Sequence, residues 1–150
     1  IKILKRLGKS MQDELTVAAT LESLDDIRQF IKKVSSDAGL DKNSTYKLLL
    51  AIDEIATNII SHGYEEAGLS GDIILTSEIN DKTLVVNLKD TAEAFDPRNM
   101  TMPSEDDLMQ SLEDRPIGGL GIFLAIKGVD GFDYIRSGDY NHNIFTMNRP

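Results

Sequence analysis

A chain of 150 residues, 41% hydrophobic and 27% charged, has room for one domain with a proper core. A net charge of −9 and a pI near 4.6 argue against nonspecific binding to nucleic acid or to an anionic membrane surface. The lack of cysteine excludes disulfides, thiol chemistry and Cys-based metal sites.

Ile1–Ser10 is a short basic arm ahead of the domain expected over residues 11–150. No apolar run approaches the roughly 20 residues of a membrane span. No signal peptide is visible, so cytoplasm is the expected location. Alternation of Leu15, Val17 and Ala19 predicts a first strand around Glu14–Ala19. A helix follows over Ser23–Ala38, with Ser23 as its cap and Asp26 three residues on. Its stripe is Leu24, Ile27, Phe30, Ile31 and Val34, and Gly39 is its stop. A second helix, capped by Asp41, begins near Lys42 and runs to Tyr64, with a core stripe of Leu48, Ile52, Ile55 and Ile59. Leu49, Ala56 and Ile60 flank that stripe.

On another face of this helix lie Glu54, Asn58 and His62. Four residues turn a helix by about 400°, so the row drifts only about 40° per step. A carboxylate and a carboxamide one turn apart can face one ligand. The alternative is the solvated face of an amphipathic helix.

After a loop at Gly68–Gly71, strands are expected near Asp72–Ile79 and Thr83–Lys89, joined by a tight turn at Asn80-Asp81. Leu84, Val86 and Leu88 share a face, and Asp90 has their parity, so it points at the core. A buried carboxylate is costly unless hydrogen-bonded. One that faces a pocket can select the exocyclic amino group of adenine; one that caps a turn at the strand end is equally consistent with the spacing.

Arg98–Ile117 has little regular pattern beyond a short helix after Ser104 through Leu108, Met109 and Leu112. Irregular stretches of that length inside a domain are often lids or binding loops. Gly118-Gly119-Leu120-Gly121 then opens a short apolar helix. Backbone N–H groups at a glycine-lined helix start suit phosphates, although glycines also start helices for plain packing. The run completes neither a Walker P-loop nor a Rossmann fingerprint. Phe132–Arg136 and Asn143–Met147 are a closing hairpin, with its turn around Ser137–Asn141.

Four segments, in order, resemble the ATP-binding domain shared by gyrase-type ATPases and histidine kinases. They are Glu54-Ile-Ala-Thr-Asn58-Ile-Ile-Ser-His62-Gly-Tyr64, Asp90-Thr-Ala-Glu-Ala-Phe95-Asp96-Pro97, Gly118 through Asp130, and Asn143-x-x-Thr146. The closest likeness is to the single-domain branch, the anti-sigma-factor serine/threonine kinases of bacteria, and it covers about residues 11–149. The resemblance implies an α+β fold of Bergerat type: a two-layer α/β sandwich whose mixed, mostly antiparallel sheet is covered on one face by helices. An ATP lid would span about residues 98–117.

The resemblance also implies ATP and Mg²⁺ as cofactors. Glu54 becomes the general base, Asn58 the Mg²⁺ ligand and Asp90 the adenine reader. Ala92 and Phe95 belong to the same nucleotide site. Gly118, Gly119, Leu120 and Gly121 lie along the phosphates, Arg115 near the γ-phosphate, and Thr146 at the adenine end. One departure stands out: the family has glycine two residues after the aspartate, where this chain has Ala92, followed by the charged Glu93.

The implied function is a kinase that phosphorylates a Ser or Thr of a STAS-type anti-anti-sigma protein, regulating transcription by partner switching. A sigma factor is the rival partner, and a homodimer is the family's assembly. Neither nucleic acid nor membrane is an expected partner. The alternative, motivated by Ala92, is a nucleotide-gated protein-binding regulator without kinase activity. A histidine kinase catalytic domain fits poorly, because neither His62 nor His142 lies in a recognisable phosphoacceptor helix.

Overall fold

The computed structural model describes residues 11–99 and 119–150. The N-terminal arm and residues 100–118 lie outside the described residues, and with them most of the expected lid, its short helix, Arg115 and Gly118. Five strands form one sheet: β1 (Met11–Ala18), β2 (Asp72–Ile79), β3 (Thr83–Asp90), β4 (Gly131–Ser137) and β5 (Tyr140–Asn148). Three α-helices accompany it among the described residues: α1 (Leu24–Asp37), α2 (Lys42–Asn58) and α3 (Gly119–Gly128).

The strand order is β1-β2-β3-β5-β4, and every described pairing is antiparallel. This corrects the expectation of a mixed sheet. β3 and β4 do run in the same direction, but β5 inserts between them, so they never pair. β1 begins at Met11, three residues earlier than the alternation predicts, because Met11 is buried opposite Ile79.

Alternation places Leu84, Val86, Leu88 and Asp90 of β3 beneath the helices, all buried. Leu84, Val86 and Leu88 share one core with Phe145 and Met147 of β5, Ile27 and Ile31 of α1, and Leu48, Ile52 and Ile55 of α2. Each such apolar side chain contributes about 1.5–3 kcal/mol by leaving water. Phe132 meets Phe145 edge to face, with centroids 5.2 Å apart.

The helix ends follow local chemistry, with two corrections. Gly39 adopts φ 76° and stops α1, as a residue without a Cβ can. The Ser44 backbone N–H donates to Asp41 at 2.7 Å, capping α2 and holding that carboxyl below its ordinary range. Ser23, however, makes no side-chain cap bond. A 3₁₀ turn over Leu21–Ser23 precedes α1, so Ser23 is already helical and Thr20 takes the extended position.

The second correction is at the far end of α2. The α-helix stops at Asn58 and continues as a π-helical turn over Ile59–Glu65, with the Glu66 N–H donating to the Ser61 carbonyl. The wider turn shifts the faces. Ile60 becomes fully buried, while Ile59, expected in the core stripe, is only partly buried and lines a cavity. No helix among the described residues is long and apolar enough to cross a membrane.

Candidate nucleotide site

A cavity of about 480 Å³ opens where the end of α2, the π-helical turn, the segment after β3 and the start of β5 meet. That volume falls within the usual range for small-molecule sites. Asn58, His62, Asp90, Ala92, Phe95 and Asn143 all line it, so the structure gathers residues from three of the sequence motifs around one space. A second hollow of the same volume, on the open face of the sheet, contains none of the predicted site residues.

Asp90 is the chemical centre of the cavity. It is 1% exposed. Its Oδ1 accepts from the Ala92 backbone N–H and from Asn141 Nδ2, each at 2.9 Å. Its Oδ2 is buried and has no partner. Burial pushes this carboxyl above the ordinary carboxylate range, and the donors from Asn141 and Ala92 oppose that push. Asn143 Oδ1 is a second buried atom without a partner, on a residue that also lines the cavity. A buried acceptor left unpaired costs about 1–3 kcal/mol, which a donor-bearing ligand can recover.

The segment after Asp90 is held from two sides. From the π-helical turn, Tyr64 Oη accepts the Thr91 N–H at 2.8 Å. From the last hairpin, Arg136 Nη1 and Asn141 Nδ2 donate to the Ala92 carbonyl at 2.9 and 3.0 Å. The methyl of Ala92 fits because residue 63 is glycine: a Cβ there would lie 2.8 Å from that of Ala92. His62 faces the cavity, and its Nδ1 pairs with Glu66. Phe95 is 44% exposed and forms an apolar part of the cavity wall. The neighbouring Asp96 is partly buried, which pushes its carboxyl up. Donors from Arg98 outweigh that push and hold it below the usual range.

Glu54 stands one helical turn before Asn58, partly buried, and is not part of the cavity wall. It lies against the start of α3 instead. A Cβ on Gly121 would come within 2.3 Å of Glu54 Oε1, so any other residue there would make the Glu54 carboxylate swing away from this position. The same helix pair is close again where Gly128 meets Lys47, so α2 and α3 run antiparallel. Gly119 and Leu120 form the first turn of α3.

Thr146 departs from expectation. It shares the parity of His142 and Ile144, on the face of the sheet away from the helices and the cavity. Residues an odd number of steps apart in a strand face opposite ways. With Asn143 lining the cavity, Thr146 cannot. Asn141 and Arg136 lie outside the motifs, and Tyr64 and Asn143 lie within them without a role of their own. The available signal was parity: Asn141 and Asn143 continue inward the face of Phe145 and Met147, and two asparagines on an apolar face mark a polar pocket.

Comparison with known proteins identifies the family. Residues 17–147 match the model of the histidine kinase-like ATPase domain, and the chain belongs to that family. Two of its relatives in sequence are protein kinases by name. It is 26% identical over 137 residues to the serine/threonine-protein kinase BtrW of Bordetella bronchiseptica, covering 91% of this chain and 94% of the relative. It is 25% identical over 114 residues to the serine-protein kinase RsbW of Halalkalibacterium halodurans, covering 74% and 67%. Among solved structures, the RsbU and RsbW domains of Rv1364c from Mycobacterium tuberculosis share the fold with a TM-score of 0.62 at 16% identity. That likeness covers 93% of this chain and 33% of the solved one.

Proposed function

We propose that this protein is an anti-sigma-factor-type serine/threonine kinase that binds Mg-ATP and phosphorylates a Ser or Thr of a STAS-type antagonist. The observation that carries the reading is the free Oδ2 of Asp90 in a cavity that Asn58 also lines, one helical turn from Glu54. The names of the sequence relatives support the kinase chemistry.

The residues present fit ATP. A 480 Å³ cavity with two buried acceptors lacking partners suits a base that carries an amino donor. They also fit Mg²⁺. Among the described residues no cluster of three or more acidic, His or Cys groups forms a metal cage. A single carboxamide oxygen from Asn58 suits an ion that keeps its waters and takes its other ligands from phosphates. When bound, Mg²⁺ supplies charge neutralisation at the β- and γ-phosphates.

The work of this chain is then positioning and one proton transfer. Asp90 orients the base. Asn58 faces the phosphate side of the same cavity. Glu54 accepts the proton of the partner's hydroxyl as its oxygen bonds to the γ-phosphorus and the bridging P–O bond to ADP breaks. Phosphorylation of the antagonist would release it and free the kinase for a sigma factor, in the cytoplasm.

The test is incubation with labelled ATP and the cognate antagonist. Label on a Ser or Thr of the antagonist is the expected result. ATP binding with an unlabelled antagonist overturns the kinase reading. It would favour the nucleotide-gated regulator, the second reading, which rests on Glu54 lying outside the cavity wall. Glu54→Ala separates the two: a pure switch keeps its effect on partners, and a kinase loses turnover.

A further inference from the structure

The hairpin β4–β5 places a side chain against the base-reading aspartate that lies outside the sequence motifs. Asn141 is 3% exposed. Its Nδ2 lies within hydrogen-bond reach of three acceptors, Asp90 Oδ1 at 2.9 Å, the Ala92 carbonyl at 3.0 Å and the Glu93 carbonyl at 3.2 Å, and shares its two N–H protons among them. Its Oδ1 accepts from the Tyr134 hydroxyl. The orientation of this amide follows from chemistry. Three acceptors surround one end, so that end must be nitrogen, and Tyr134 must therefore be the donor at the other.

The consequence is for the base. A carboxylate with both oxygens free accepts two parallel N–H donors, which is what the N1–H and exocyclic amino group of guanine present. Adenine presents a single exocyclic amino group on the corresponding edge. We infer that Asn141, oriented by Tyr134, is a positioning residue that sets adenine over guanine: with the Ala92 N–H it fills both lone pairs of Asp90 Oδ1, so that only Oδ2 is left for the ligand, and its removal reopens one acceptor position on Oδ1. This rests on the nucleotide reading of the cavity.

Binding of ATP and of GTP is measured by titration calorimetry with Mg²⁺ for wild type, Asn141→Ala and Tyr134→Phe, with thermal melts as a check on folding. Wild type is expected to prefer ATP. In Asn141→Ala the ATP-over-GTP ratio falls by at least about tenfold, the effect of one hydrogen bond to a charged group. GTP affinity rises in absolute terms, which general structural damage would not cause. A ratio unchanged from wild type, or equal losses for both nucleotides, overturns the role of Asn141 and leaves nucleotide binding standing. A wild type that binds neither nucleotide removes the nucleotide reading as well, and one that binds both equally removes base selection. If Asn141→Ala does not fold, Tyr134→Phe decides: a ratio lowered about threefold supports the proposal, and an unchanged ratio overturns it.

Discussion

The two ends of β3 carry the same local device with opposite outcomes. At its start, Asn80 Oδ1 accepts from the N–H groups of Lys82 and Thr83 and lies 3.2 Å from the Thr83 hydroxyl, closing the turn on itself. At its end, Asp90 Oδ1 accepts the N–H of residue 92 in the same way, but its second donor comes from Asn141, 51 residues away, and its other oxygen has none. One end is saturated and exposed; the other is buried and incomplete. A turn needs only the first arrangement. An unsatisfied acceptor at 1% exposure that lines a cavity is a place where a ligand's donor can complete what the fold leaves open.

That contrast can be broken by experiment. The largest expected effect separates binding from chemistry: Glu54→Gln should lower phosphotransfer to the antagonist by about 10²–10⁴-fold, with ATP affinity within about twofold of wild type, by rate assay and calorimetry. Asp90→Ala should weaken ATP by about 10–100-fold, since it removes the acceptor of a charge-assisted bond, and a smaller loss would mean the free oxygen faces no donor. Asn80→Ala should act only on the fold, costing about 1 kcal/mol in chemical denaturation and leaving ATP affinity unchanged. If Asn80→Ala weakened ATP binding as much as Asp90→Ala, the two ends would not be functionally distinct.

The smallest effect is a pH dependence. Burial raises the Asp90 carboxyl in the folded protein, so its ionised form costs the ligand-free fold stability. That cost is complete above the raised value, shrinks as pH falls through it, and is gone below the ordinary value of about 3.9. Asp90→Asn should therefore raise the Tm of the ligand-free protein at pH 7, and the gain should close as pH approaches 4.

Much of this was legible in the chain. The inward parity of Asp90 follows from Leu84, Val86 and Leu88, and the cap at Asp41 and stop at Gly39 from single residue types. The π-helical turn was not: nothing in Ile59–Glu65 distinguishes a widened turn from one more turn of α-helix, and it moved Ile59 from core to cavity wall. The sequence offers Gly121 as room for phosphate, whereas the packing of α3 on α2 makes it room for Glu54 as well. Thr146 was displaced by the strict two-residue period of β5.

What the amino-acid sequence settled unaided was periodic and local. Alternation fixes which strand residues turn inward, and caps and stops depend on atoms only a few bonds apart. Tertiary structure alone decided which distant groups complete one another: Asn141 on Asp90, Gly63 beneath Ala92, Gly121 against Glu54. Those contacts join residues 29 to 67 positions apart, and a neighbour at such separations is chosen by how the sheet and helices pack, which no short window of the chain encodes.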